Sequence, residues 1–219
     1  MHIPDGFLAA RVWAPLWVVA GGGLWYCIRR VDAELKDKAV PLMGVMSAFI
    51  FAAQMLNFPV AGGTSGHLLG GVLAAVLLGP WAGAVIISIV LAVQCLVFQD
   101  GGITALGANI VNMALIGAGF SYAIYALARS ALRISVKRRL DPIIAAVAVA
   151  SWCSVVLASA ACAVELALSG TSPLKVVLPA MIAVHSLIGV GEAIITCSIV
   201  ACIVRVRPDL IYVSGGRSS

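Results

Sequence analysis

Apolar and polar positions in this chain fall into blocks, without the short rhythm of a half-buried strand or a one-faced helix. Seven apolar blocks are separated by short polar ones: residues 9–28, 40–56, 67–78, 81–98, 103–128, 142–168 and 174–204. Blocks apolar on every side belong to helices surrounded by protein or lipid. A membrane span needs about 20 such residues, and most of these blocks supply them. The third is short and ends at Gly79-Pro80; the seventh contains Pro179, which predicts a kink or an interfacial first turn. The expected fold is therefore all-α: a polytopic membrane helical bundle of seven transmembrane helices. It is a single domain, with residues 1–8 as a head, 9–204 as the bundle and 205–219 as a tail.

Composition agrees with that pattern. The 219 residues are 62% hydrophobic and 11% charged, with a mean hydropathy of +1.09. The net charge of +5 reads as topology, not as a nucleic-acid footprint, because the basic residues sit in separate loops instead of on one face. Twelve of the fourteen lie in the loops after the first and fifth blocks and in the tail; Arg11 and Lys175 are the exceptions. Basic loops stay on the cytoplasmic side, which predicts the N-terminus outside and the C-terminus inside. His67 and the polar turn 99–102 then share the outer surface with Met1. The expected setting is the cytoplasmic membrane of a prokaryote. No basic stretch precedes the first apolar block, so no cleaved signal is expected. The six cysteines lie in apolar blocks, form no C-x-x-C pair and read as small buried residues.

The candidate chemistry begins at Met1-His2-Ile3-Pro4-Asp5-Gly6. An amino-terminal amine and the His2 backbone nitrogen close a five-membered ring on a cation. That backbone nitrogen and His2 Nδ1 close a six-membered one. Three nitrogens thus lie in a plane, with one planar position open. Pro4 stiffens the exit and Gly6 permits a turn. His67, at the start of the third block, is costly in a membrane unless functional or paired.

These residues carry a resemblance. Met-His-Ile-Pro-Asp-Gly-Phe-Leu at the start and Gly62-Gly63-Thr64-Ser65-Gly66-His67 further on resemble the CbiM/NikM family, the metal-binding membrane (S) subunits of nickel and cobalt energy-coupling-factor (ECF) transporters. The resemblance implies a ligand set of the Met1 amine, the His2 backbone nitrogen, the His2 ring and the His67 ring. Four planar nitrogens suit Cu(II) and Ni(II), whereas Zn(II) prefers a tetrahedron. The resemblance tilts the choice to Ni(II), with Co(II) second. The metal is then cargo, and no cofactor is expected. No G-x-x-x-x-G-K-[ST] loop is present, so ATP hydrolysis must come from partners. The resemblance implies a transmembrane coupling (T) subunit, two ATP-binding subunits and an optional small accessory membrane subunit.

Supporting residues keep two readings each. Asp5 is a candidate acceptor for a ligand histidine's second N–H, or a solvated turn residue. Asn109 and Asn112 support the metal loops or bond between helices; Gln54 and Gln94 are weaker cases of the same kind. His185 and Glu192, seven apart on one helical face, form an exit route, a proton site or a polar lock. Gly44, Ala48 and Ala52 make a small-residue ridge, for docking the coupling subunit or for packing inside the chain. Two rival functions stand beside the importer subunit. Gly63-Thr64-Ser65-Gly66 matches the G-x-S-G of rhomboid-type intramembrane serine proteases, with Ser65 as nucleophile and His185 as base. A stand-alone secondary metal permease would use Glu192 as its coupling group.

Overall fold

A short helix lies at the centre of the molecule. All eight residues of α3 (Gly71–Leu78) are buried. The structure, a computed structural model, describes residues 1–34, 40–56, 58–60, 64–135 and 142–212. The other long elements are α1 (Ala10–Glu34), α2 (Val40–Gln54), α4 (Pro80–Phe98), α7 (Pro142–Leu168) and α8 (Leu174–Val206). Between α4 and α7 runs one continuous rod. It begins as α5 (Leu106–Asn109), widens into a π-helical stretch (Ile110–Phe120) and continues as α6 (Ser121–Ser135). A 3-10 turn, Pro208–Leu210, follows α8.

Each apolar block thus holds a helix. Four are long and apolar enough to cross a membrane: α4, the rod over Leu106–Leu132, α7 and α8. α1 has the length, but its glycines, tryptophans and arginines dilute its apolar character. α2 is apolar over 15 residues. α3, at eight residues, is only about 12 Å long at 1.5 Å per residue and cannot cross alone. The third block is therefore not the helix expected from residue 67. His67–Gly70 is non-helical, and Gly70 takes a φ of +73°, a left-handed conformation that glycine adopts without a Cβ clash.

One element was not expected from the sequence. Within the Gly-rich loop, β1 (Phe58–Val60) pairs antiparallel with β2 (Thr64–Gly66), Phe58 opposite Gly66. Gly62 and Gly63 of the loop motif lie outside the described residues, as do Lys36, Lys38, Lys137, Arg138, Arg139 and Arg217 of the basic loops and tail. α8 runs on through Pro179.

Packing around α3 is close. A side chain on Gly71 would meet the Gly117 carbonyl oxygen 2.6 Å from its Cβ, so α3 lies directly against the π-helical stretch. At the far end of α3, the Tyr212 N–H donates to the Val76 carbonyl at 2.9 Å. The Tyr212 ring lies where a Gly79 side chain would project. The ridge on α2 faces outward: Gly44, Ala48 and Ala52 are exposed, and nothing lies within 4 Å of a Cβ placed on Gly44. Packing inside the chain, one of its two readings, is not its role among the described residues.

Candidate metal centre

The first residues do not project into solvent. Met1 and Ile3 are wholly buried and His2 is 4% exposed. Asn109, on the last turn of α5, holds Ile3 by both backbone groups. The Ile3 N–H donates to Asn109 Oδ1 at 2.9 Å, and Asn109 Nδ2 donates to the Ile3 carbonyl at 3.3 Å. The Gly102 N–H donates to the same carbonyl at 2.9 Å. Asp5 then accepts from the Ile103 N–H at 3.0 Å, the Thr104 N–H at 2.8 Å and the Thr104 hydroxyl at 2.5 Å. These donors hold its carboxyl below the usual range, the Thr104 hydroxyl foremost. They also delay the fifth helix from residue 103 to Leu106, because Asp5 ties down the turn before it. The Phe7 carbonyl accepts from the Thr171 hydroxyl, and Arg11 donates to the Leu168 carbonyl at 3.1 Å. The head is thus pinned to two separate turns.

His2 lies against His67. Their rings stack with centroids 4.6 Å apart and 20° between planes. Each ring is fixed in one tautomer by an atom that can only accept. His2 Nε2 lies 3.1 Å from Gln94 Oε1, so Nε2 carries the proton and Nδ1 the lone pair. His67 Nδ1 lies 2.6 Å from the Leu68 carbonyl, which leaves the lone pair on Nε2. Both lone-pair nitrogens are buried without a hydrogen-bond partner. Asp100 Oδ1 lies 3.3 Å from His2 Nδ1, close but without hydrogen-bond geometry. Burial lowers the Met1 amine to about 5, opposed by Cys162 and Asp100. It lowers His2 to about 4, helped by the neighbouring amine and opposed by Asp100 and the Gln94 bond. Near neutral pH the head therefore holds uncharged donors. Among the described residues no three His, Cys, Asp or Glu side chains gather as a metal site, so a cation held here needs main-chain nitrogen.

The chain around His67 is held from two helices. Gln54 at the end of α2 donates to the Leu69 carbonyl at 2.7 Å. Glu192 on α8 accepts from the Leu69 N–H at 2.8 Å and the Gly70 N–H at 2.7 Å. Glu192 thus takes donors that the start of α3 leaves unsatisfied.

Of the predicted residues, Met1, His2 and His67 lie together, with Asn109 behind the head and Glu192 behind His67. Asp5 does not reach a histidine: its oxygens are taken by the 103–104 turn. Asn112 points elsewhere, donating to Glu165 Oε2 at 2.7 Å. His185 is buried on α8, its ring near the Met181 carbonyl at 2.8 Å. Ser65 lies in β2, and its side chain is outside the described residues. Asp100 was not singled out from the sequence. Its signal was a lone carboxylate in a Gly-rich turn that charge topology places beside Met1.

The comparisons with known proteins agree on the family. The CbiM model, cobalt uptake substrate-specific transmembrane region, matches residues 2–210. The chain belongs to the CbiM family. A fused nickel transport protein, NikMN, of Rhodobacter capsulatus is 37% identical over 226 aligned positions, covering 96% of this chain and 64% of that protein. A cobalt transport protein, CbiM, of Thermosediminibacter oceani is 41% identical over 133 residues, 58% of this chain and 53% of that one. This CbiM-family chain therefore spans about two thirds of the fused relative and half of the second. A crystal structure of a truncated transition metal transporter superposes with a TM-score of 0.85 at 34% identity, over 94% of this chain and 99% of that one. Family and apolar helices together make it an integral membrane protein of metal uptake, whose metal is cargo and not a cofactor.

Proposed function

We propose that this chain is the substrate-capture subunit of an ATP-driven ECF-type importer for a divalent transition metal, Ni(II) foremost and Co(II) second. The metal is held by the Met1 amine, the His2 backbone nitrogen, His2 Nδ1 and the His67 ring. The observation that supports this best is the stack of His2 on His67, with a lone-pair nitrogen on each ring lacking a hydrogen-bond partner. The relatives named for nickel and cobalt transport support the choice of cargo, and four planar nitrogens suit Ni(II) better than Zn(II).

In this reading the bundle carries seven transmembrane segments, α3 with the extended His67–Gly70 serving as the third. The N-terminus faces outside. A transmembrane coupling subunit docks on the Gly44, Ala48 and Ala52 ridge and carries the force of two ATP-binding subunits, with room for a small accessory membrane subunit. The seat is a prokaryotic cytoplasmic membrane. The protease reading has no such support, since the relatives are named as transport proteins. Metal uptake by the chain alone in ATP-free vesicles would favour a secondary permease instead.

The test is an N-terminal extension by one residue, with Ni(II) affinity measured by calorimetry. Moving the amine away from His2 breaks the first chelate ring, and affinity falls by at least about 100-fold, some 2.7 kcal/mol. Unchanged affinity would overturn the chelate.

A further inference from the structure

The metal head is enclosed. Met1 and His67 are wholly buried and His2 nearly so, so a hydrated cation has no direct way to the nitrogens. Asp100 stands between them and water: its side chain is 21% exposed, against 2% for the His2 side chain that it approaches. We propose that Asp100 is the entry residue of the site, a carboxylate that takes the divalent cation from water and passes it to His2 Nδ1. The proposal rests on the metal-capture reading above.

Three observations carry it. First, Asp100 Oδ1 and His2 Nδ1 are 3.3 Å apart, with the His2 proton committed to Gln94 on the ring's other side. Two acceptor atoms facing each other across that gap repel; a divalent cation attracts both. Second, Asp5 cannot share the role, because its carboxylate already accepts three hydrogen bonds. Third, the turn is held in place. The Asp100 N–H donates to the Gln94 carbonyl at 3.0 Å and the Gly102 N–H to the Ile3 carbonyl at 2.9 Å. Gln99 and Gly101 on either side both take positive φ, 56° and 97°, which turns the chain back over the head.

The transfer has a chemical direction. Carboxylate oxygen suits a hydrated hard cation, whereas imidazole and amine nitrogen bind Ni(II) more tightly. Asp100 therefore raises the rate of capture by charge, and the four nitrogens hold the cation once it has passed inward. Steering by a fixed charge of opposite sign raises association rates by about 10- to 1,000-fold and is weakened by salt.

The experiment is stopped-flow mixing of the full chain in detergent with nickel chloride alone, at low and high salt, for the native protein, Asp100→Asn and Asp100→Glu. Expected is an association rate at least about tenfold lower in Asp100→Asn, with little remaining salt dependence. The dissociation rate and the visible absorption of bound nickel stay as in the native chain, and Asp100→Glu restores most of the rate. An unchanged rate in Asp100→Asn overturns the proposal. So does equal impairment of both variants, which would mean that shape and not charge matters. A shifted nickel spectrum in Asp100→Asn also overturns it, by making Asp100 a ligand. A native chain that binds neither nickel nor cobalt overturns the capture reading itself.

Discussion

At the scale of single residues, burial strips the amine and imidazole of the proposed centre of their protons before the metal arrives, and the His2 backbone N–H gives up its own on binding. The Met1 amine at about 5 and His2 at about 4 stand below their ordinary values of 8.0 and 6.5. Lowered pKa values mean that the folded chain binds fewer protons than the unfolded one over roughly pH 4–8. The head's contribution to stability therefore grows as pH rises and is lost in acid. Metal affinity follows the same sign. Planar coordination also displaces the His2 backbone N–H proton, so Ni(II) affinity measured by calorimetry falls about tenfold per unit from pH 8 to 6, and more steeply below about pH 5, where the amine and imidazole add their own protons. A solvated amine would instead steepen the fall already below pH 8. Gln94 gives a second prediction. Gln94→Leu removes the acceptor that keeps the proton on His2 Nε2, and losing a group that orients a metal-ligating histidine costs about 10- to 100-fold in metal affinity. That Met1 and His2 could chelate was legible because a histidine at position two has one chelating geometry, set by covalent bonds; His67 was joined to them by charge topology and the family resemblance, and its ring lies against His2. Gln94 was legible only as a weak candidate for support and Asp100 was not singled out, because their roles depend on how the 99–102 turn folds back over the head. Asp5 shows the limit from the other side: a carboxylate three residues from His2 serves backbone N–H groups instead.

At the scale of elements, the short α3 and the turn at 99–104 position the two halves of the site. Residues 67–78 form one apolar run, so helix from His67 onward was the natural expectation. The helix starts later because Glu192 and Gln54 engage the backbone of Leu69 and Gly70, long-range partners that no local pattern encodes. Glu192→Gln keeps the shape but places an amide donor against one of the two N–H groups. The cost is about 1–3 kcal/mol for the buried donor left unsatisfied, read as a lower melting temperature together with weaker Ni(II) binding. Gly102 gives a sharper test of the head's seat. A Cβ there would lie 2.2 Å from the Asp5 backbone nitrogen, so Gly102→Ala must push the head away. Expected is loss of Ni(II) binding with helix content by circular dichroism retained; normal binding would contradict the packing described here.

At the scale of the whole molecule, the seven apolar blocks were legible because a membrane span is written as a long run of like residues. Their helix lengths were less so: α3 is a short internal rod, buried on all sides, running from His67–Gly70 to the C-terminal segment at Tyr212. The ridge on α2 has the opposite character, exposed along Gly44, Ala48 and Ala52. In the importer reading, Ala48→Leu with Ala52→Leu abolishes co-purification with the coupling subunit and leaves Ni(II) affinity within about twofold, because the ridge lies outside the head. The central claim, four nitrogens in one plane from Met1, His2 and His67, has a direct optical test. The chain is titrated with Ni(II) and its visible absorption recorded. The account predicts a yellow, diamagnetic planar complex saturating at one nickel per chain; weak bands of a paramagnetic six-coordinate ion would contradict it.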